Sequence, residues 1–356
     1  MSTMEAKSTP SKALIILLGA IGDVTRALPM AVRLKHFWPT TELHWAVEPI
    51  SHSLLVGHPA IDKLHVFDRP RGLRAYAAFL RELRAERFEL VLDMQRHLKS
   101  GFSSFMTAAP RRVSFHRQNS REGNWLFNTE MAAPSDHYSS KVAQFQRFGD
   151  ALGLPPLEPL EFGLQPTAAE RDVFERELAT RCAAAGIPVP PPERRVGFIL
   201  GSTWESRFWK TSHYRLLAEQ LAKRYGFTVL LLGGKAERTF ADELLSLRPE
   251  APLVDFVSAT TLRGLVGVFA GSRLAIGSDS GPMHIAAASG CPVISLWGST
   301  SPLRSAPFGN ENLVLQSPIG CSPCYRKRCP GLDTLCMQDI PWQAVLAQVS
   351  RVVSGA

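Results

Sequence analysis

Short apolar runs alternate with longer amphipathic stretches along almost the whole chain. Strands are predicted at 14–18, 43–47, 64–67, 90–93 and 113–115, each bounded by polar or glycine positions. Apolar residues recurring every three or four positions predict helices at 24–37, 73–87, 98–107 and 138–152. Alternation of this kind implies βαβ units and a parallel sheet. A proline-rich passage follows, Leu154-Pro155-Pro156-Leu157-Glu158-Pro159 and then Pro188-Val189-Pro190-Pro191-Pro192, with a polar helix at 168–185 between. Proline breaks helices and stiffens connections, which places the domain junction here. The pattern then restarts with a strand at 196–200, a helix at 213–224, a strand at 228–232, a helix at 236–247, and so on to Trp297. The expectation is an α/β chain of two Rossmann-like domains, 13–165 and 193–340, with parallel sheets facing across a cleft. Residues 166–192 form the connection, 341–356 a final helix packing back across the junction, and 1–12 a disordered polar start.

Two loops stand out for their chemistry. Gly277-Ser278-Asp279-Ser280-Gly281-Pro282-Met283-His284 follows an apolar run and opens a helix, with a second apolar run close behind. A helix start at the carboxyl edge of a parallel sheet presents free N–H groups to an anion, and proline suits its first turn. Gly19-Ala20-Ile21-Gly22-Asp23 likewise joins the first strand to a helix, its glycines allowing close backbone approach to a ligand. The Gly-Xaa-Gly-Xaa-Xaa-Gly fingerprint is absent, which gives a nicotinamide enzyme no support. By position alone Asp23 reads as a helix N-cap, Glu237 (in Gly233-Gly234-Lys235-Ala236-Glu237) as a first-turn helix acid, and His284 as a core histidine.

The Ser278–His284 string, the Trp297-Gly298-Ser299-Thr300 that follows and the Gly19–Asp23 loop closely resemble, in order and spacing, the lipopolysaccharide heptosyltransferases. These are inverting glycosyltransferases of GT-B architecture, and the resemblance runs from about residue 13 to 345. It implies transfer of heptose from ADP-heptose to the inner core (the Kdo and heptose region) of lipopolysaccharide, with no metal required for catalysis. Asp23 then corresponds to the catalytic base and Gly22 approaches the nucleotide sugar. Arg207, in Gly201-Ser202-Thr203-Trp204-Glu205-Ser206-Arg207-Phe208-Trp209, aligns with a position that is usually lysine and meets the leaving diphosphate. Lys210 stands where proline is usual and is the alternative clamp. Thr203 resembles a phosphate-bonding hydroxyl, Glu237 the acid that holds the ribose, and Thr260 or Thr261 the segment lining the adenine. Asp279 would accept donor-sugar hydroxyls, while Ser280, Gly281 and His284 would face the diphosphate. Lys99 and Arg121 match positions near the acceptor, the anionic lipid A–Kdo core. The family often has a histidine where this chain has Ser140 and Lys141.

Composition sharpens these expectations. A length of 356 residues suits two domains, and 45% hydrophobic with 20% charged residues is an ordinary globular balance. The formal charge of +8 favours an anionic partner: nucleotide, nucleic acid, phosphorylated glycolipid or acidic membrane. No run approaches the roughly 18–20 apolar residues of a membrane-spanning helix. The stretch 13–18 is short and runs into Gly22-Asp23, so it reads as a strand rather than a signal peptide. The expected address is the cytoplasm, with peripheral contact to the inner membrane. Residues 63–121 carry 13 Lys or Arg against 5 Asp or Glu, Lys99 and Arg121 among them.

Four of the six cysteines lie together as Cys321, Cys324, Cys329 and Cys336. Four thiolates can enclose a tetrahedral structural zinc ion; free thiols, a disulfide or iron–sulfur ligation are the alternatives. Two other functions compete: a related GT-B transferase using another nucleotide sugar for a core or surface glycan, and a basic, zinc-stabilised nucleic-acid-binding protein. The latter leaves the acidic and glycine-rich loops at successive strand ends unexplained, so nucleic acid is not expected as a partner.

Overall fold

A computed structural model of the chain describes residues 9–136, 138–331 and 333–355. The chain divides into two compact units at Gly163/Leu164. The first unit contains β1 (Lys12–Ile16), α1 (Ile21–Phe37), β2 (Glu42–Val47), α2 (Pro49–Leu55), β3 (Lys63–Val66) and α3 (Gly72–Ala85). It continues with β4 (Leu90–Asp93), α4 (Leu98–Met106), β5 (Arg111–Ser114), β6 (Glu130–Met131) and α5 (Lys141–Leu152). Its six strands run parallel in the order β3-β2-β1-β4-β5-β6. The central strand is buried along almost its whole length, which is why it reads as a continuous apolar run rather than an alternating one.

Arg33 ties α1 to α5. Its guanidinium is buried and donates to the carbonyls of Gln146, Leu154 and Pro155 at 2.9, 2.5 and 2.8 Å, and to Asp150 at 2.8 Å. Carbonyls at a helix end lack partners within the helix, and one fork satisfies several of them here. A Cβ at residue 149 would lie 2.6 Å from the Arg33 guanidinium carbon, so the close approach requires Gly149.

The second unit begins with α6 (Ala168–Ala185), followed by β7 (Arg195–Ile199), α7 (Thr211–Tyr225), β8 (Thr228–Leu232), α8 (Arg238–Ser246), β9 (Leu253–Asp255) and α9 (Leu262–Ala270). Then come β10 (Leu274–Ser278), α10 (Gly281–Ala288), β11 (Val293–Trp297), β12 (Val314–Gln316), α11 (Leu335–Gln338) and α12 (Trp342–Ser354). Six parallel strands again, ordered β12-β11-β10-β7-β8-β9, repeat the connectivity of the first sheet. The core combines Phe198, Leu231, Ile276 and Leu296 from the strands with Trp209, Tyr214 and Leu217, and with Val345, Leu346 and Val349 of α12. Helix α6, capped by the reciprocal Thr167–Glu170 bonds, belongs to this unit and buries Phe174, Leu178 and Cys182. The Trp209 indole donates to the Ile340 carbonyl at 2.9 Å, joining the segment before α7 to the start of α12.

Most expected strands and helices are present with ends shifted by one to three residues. Helix α1 starts at Ile21 rather than residue 24, which puts Asp23 inside its first turn. Of the start expected to be disordered, residues 1–8 lie outside the described residues. Lys12 opens β1, and the Ser11 N–H donates to Glu89 at 3.0 Å. Helix α2 was not expected; it is a seven-residue segment begun by Pro49. The two- and three-residue strands β6 and β12 were also unexpected, being too short to give a period.

Candidate active site

In each sheet the strand order reverses direction at one place, between β1 and β4 in the first unit and between β7 and β10 in the second. Loops at the carboxyl ends of those strands diverge and leave room for a ligand. Asp23 follows β1, and Arg207 and Asp279 follow β7 and β10.

In the first unit the Gln95 side-chain oxygen, just past β4, accepts from the N–H groups of Leu18 and Gly19 at 2.8 and 3.3 Å. It fixes the turn that leads to Gly22, buried in the first turn of α1, and to Asp23. The N-cap is Ala20 and no side chain caps it, which overturns the capping role that position alone suggested for Asp23. Its carboxylate oxygen Oδ1 instead meets Arg26 and Lys141, each at 2.6 Å. Burial alone would raise the Asp23 pKa; the two cations outweigh it and hold the carboxyl well below the usual range. The side chain keeps 27% of its exposure, so this is an ionised carboxylate that solvent and ligand can reach. Arg26 comes one turn along α1 and Lys141 from the start of α5, in the region where the sequence departs from the resemblance.

Asp93, at the end of β4, is fully buried. It accepts from the Asn124 amide at 2.5 Å and the Gln95 N–H at 3.3 Å. Burial outweighs these bonds and raises its pKa to about 6.

In the second unit Arg207 ends a short 3-10 turn, Glu205–Arg207. Its guanidinium pairs with the Asp279 carboxylate at 3.2 Å, donates to the Asp279 carbonyl at 3.0 Å, and lies 4.0 Å from the centre of the Trp204 ring. The Thr300 hydroxyl donates to the same carboxylate oxygen at 2.9 Å, and the Ser202 hydroxyl to the Asp279 carbonyl at 2.9 Å. Arg207 Nε, Ser278 Oγ and Ser280 Oγ are buried without a hydrogen-bond partner. Unused polar atoms beside the start of α10, whose first residue is Gly281, suit an oxygen-rich anion. Close strand packing supports the edge: a Cβ at Gly277 would come within 2.8 Å of the Ile199 carbonyl oxygen.

The remaining expected residues are placed as follows. Thr203 and Lys210 are exposed, and Lys210 forms the N-cap position of α7 rather than joining Asp279. Glu237 accepts from the Gly234 N–H at 2.7 Å and packs so close to Gly201 that a side chain there would collide with it. Thr261 caps α9 by accepting from the Gly264 N–H at 3.0 Å, which leaves Thr260 as the hydroxyl without a capping duty. His284 is buried one turn into α10. In the first unit Lys99 lies on α4 with its ammonium 5.3 Å from the Tyr76 ring centre, and exposed Arg121 donates its N–H to the Arg96 carbonyl at 2.9 Å.

Comparison with known proteins bears on these loops directly. The profile of glycosyltransferase family 9 (heptosyltransferase) matches residues 76–334, well over half of the chain. The chain belongs to glycosyltransferase family 9. It is 26% identical over 309 residues to the lipopolysaccharide core heptosyltransferase OpsX of Haemophilus influenzae, covering 86% of this chain and 84% of that protein. The fold matches the crystal structure of a family 9 glycosyltransferase from Veillonella parvula, with a TM-score of 0.81, 17% identity and coverage of 97% and 98%. It also matches the Escherichia coli heptosyltransferase WaaC with ADP, with a TM-score of 0.74, 20% identity and coverage of 96% and 99%. A second WaaC structure contains ADP-2-deoxy-2-fluoro heptose. The GT-B fold class expected from the sequence is thereby established.

Several partners in this glycosyltransferase were not singled out from sequence: Arg26, Gln95, Ser202 and Thr300. Ser202 and Thr300 lie inside the Gly201–Trp209 and Trp297–Thr300 strings, which assign them no role, and only position relative to a strand end hints at Arg26 and Gln95. Among the described residues, one group of His, Cys, Asp or Glu brings three ligand atoms within 4.8 Å, namely His44, His65 and Glu86. The ring nitrogens there are engaged: His44 Nδ1 and His65 Nε2 share a bond of 2.9 Å, while their outer nitrogens meet Glu42 and Glu82. Glu86 is held by Lys12 and Lys63, and two ammonium groups at one carboxylate oppose a bound cation. The sulfurs of Cys321, Cys324, Cys329 and Cys336 do not form such a group in this structure. Burial raises the Cys336 thiol, and the other three lie close enough to raise it further.

A raised carboxyl pKa means that the folded state holds its proton more tightly than the unfolded chain, so this group costs stability as pH rises from about 4 through 6. Asp93→Asn is therefore expected to be about 2–3 kcal/mol more stable than the parent at pH 8, with the difference vanishing near pH 4. Denaturant unfolding across that range checks it, and a pH-independent difference contradicts the assignment.

Proposed function

We propose that this family 9 glycosyltransferase is an inverting heptosyltransferase that moves heptose from ADP-heptose to the inner core of lipopolysaccharide. The observation that carries this reading is the Arg207–Asp279–Thr300 network, with its unused buried donors, at the strand-order reversal of the second unit. Support for the donor comes from the relatives: OpsX is named for the lipopolysaccharide core, and WaaC has been solved with ADP and with an ADP-heptose analogue. The acceptor is the anionic lipid A–Kdo core, met by Lys99 and Arg121 at the inner face of the cytoplasmic membrane.

In this mechanism an acceptor hydroxyl attacks the anomeric carbon from the face opposite the diphosphate. The new glycosidic bond forms as the bond to the phosphate oxygen breaks, ADP leaves and the configuration inverts. The hydroxyl proton passes to Asp23. A carboxylate held by two cations is a weak base, yet it stays ionised at neutral pH, and the attacking oxygen becomes strongly acidic once bonded to an electron-poor carbon. Charge growing on the departing diphosphate is met by Arg207 and by the N–H groups at the start of α10, with the Thr203, Ser280 and His284 side chains alongside. Lys210 is the alternative clamp if Arg207 does not fill that role. Glu237 holds the ribose, Thr260 borders the adenine, and Asp279 accepts from the donor sugar through the carboxylate oxygen that Arg207 and Thr300 leave open. No step requires a metal ion.

Asp23→Ala is expected to lower transfer about thousandfold with ADP affinity nearly unchanged. Arg207→Ala is expected to weaken ADP binding about tenfold to hundredfold by calorimetry. Normal turnover in the first variant removes Asp23 as the base, and unchanged affinity in the second moves the clamp to Lys210. Product formed only from a UDP- or GDP-sugar overturns the choice of donor.

The acid limb of kcat/KM should lie below the ordinary carboxylate range in the parent enzyme, because its base loses its charge only under strongly acidic conditions. Lys141→Met removes one of the two cations and should move that limb upward toward pH 4. A limb that stays in place shows that some other group titrates.

We also propose that the cysteine quartet holds a structural zinc ion, drawn together on binding and taking no part in the transfer chemistry. The donor set suits tetrahedral zinc. The loop is pinned beside the pocket by the Ser206 hydroxyl, which donates to the Arg326 carbonyl at 2.6 Å. Metal analysis should find one zinc per chain, lost in Cys321→Ser with Cys324→Ser; purified protein without metal under reducing conditions refutes the site.

A further inference from the structure

Helix α4 is built inside out. Its buried positions are Ser100, Gly101, Ser103 and Ser104, whereas Leu98, Phe102 and Phe105 are 49%, 38% and 51% exposed. The three large residues recur at i, i+4 and i+7 and so share one face. An ordinary surface helix does the reverse, with its apolar stripe toward the core. Small residues on the inner face let the 3-10 turn Asn124–Phe127 pack tightly, since a Cβ at Gly101 would come within 2.8 Å of the Asn124 carbonyl oxygen. That turn, packed on α4, adds Trp125 and Leu126, 37% and 67% exposed. The Phe127 ring bridges the two elements, lying edge-on 6.1 and 6.3 Å from Phe102 and Phe105.

Cations rim these side chains. The Arg112 guanidinium lies 5.8 Å from the Phe105 ring centre, Arg84 donates to the Met106 carbonyl at 3.4 Å, and Lys99 and Arg121 flank the patch in sequence. Exposed Glu122, which accepts from the Leu98 N–H at 3.1 Å, is an acid at this rim. Among the described residues no helix is long and apolar enough to cross a membrane.

We propose that the face formed by α4 and the 124–127 turn docks on an anionic phospholipid bilayer, its aromatic and leucine side chains entering the headgroup region while the arginines meet lipid phosphates. Aromatic tips with a basic surround match both zones of such an interface. A second copy of the chain fits poorly, because each basic rim would face another and the chain carries a formal charge of +8. The assignment rests on the reading of the acceptor as a lipid-anchored glycan. It adds which surface meets the lipid, on the helix that carries Lys99, one of the acceptor-binding cations.

The test is co-sedimentation of the full chain with vesicles of phosphatidylethanolamine and phosphatidylglycerol, against vesicles of phosphatidylcholine alone. Binding is expected on the anionic vesicles, weakening as salt rises. Phe105→Ser with Leu126→Ser should lower it about tenfold at an unchanged unfolding midpoint. The same variant should transfer sugar to a deacylated, water-soluble acceptor at the parental rate. Parental protein that ignores anionic vesicles, or a variant that sediments equally well, overturns the proposal. So does a concentration-dependent dimer in gel filtration that the variant abolishes, because the patch would then be a contact between copies. Loss of transfer to soluble acceptor in the parent enzyme itself would count against the heptosyltransferase reading and leave the vesicle result to stand on its own.

Discussion

Every strand in each sheet runs the same way, so every strand ends on the same edge, and this single constraint governs where chemistry can occur. Helices return the chain across the faces and leave that edge to the loops. Where the strand order reverses, neighbouring loops part instead of crossing, and the polar residues after β1, β7 and β10 occupy those gaps. The burial that makes the sheets stable thus also supplies rigid mounts for Asp23, Arg207 and Asp279. Gly277 is the visible cost of that tightness, a strand position where the neighbouring Ile199 leaves no room for a side chain.

The two units treat charge in opposite ways. In the first, one carboxylate is surrounded by Arg26 and Lys141, so a negative group is stabilised and kept ionised. In the second, one guanidinium is held by a carboxylate, a carbonyl and an indole face, and loses part of its hydration in return. Asp279 partly compensates the Arg207 charge, while Arg207 Nε, Ser278 and Ser280 are left unpaired. Such an arrangement suits a ligand that brings its own negative charge and several oxygen atoms.

Much of this was legible in the chain. Strands buried on both faces write themselves as unbroken apolar runs, which is why β7, β8 and β10 are readable within a residue or so. Loop motifs with glycine and aspartate named the strand ends that carry the polar groups. What could not be read depends on distance in space rather than in sequence. Lys141 stands 118 residues from Asp23, and nothing local announces their contact. The loop motif favours Arg207 as the clamp with Lys210 as the alternative; the 3-10 turn at Glu205–Arg207 carries Arg207 to Asp279 and leaves Lys210 exposed at the start of α7. Asp23 reads as a cap only if the helix begins at residue 24, where the apolar period starts; the helix begins at Ile21. The outward apolar face of α4 is illegible in the sequence for another reason. A helical period reveals that two faces differ, without saying which of them meets the core.

The indole of Trp209 gives the final helix a part in the pocket's mechanics. Its hydrogen bond to the Ile340 carbonyl fastens the peptide two positions after Arg207 to the residue that precedes Pro341 and α12. Helix α12, packed on α7, thereby braces the segment that follows Arg207. Trimming into this helix would loosen the segment that leads from the anion-facing loop into α7.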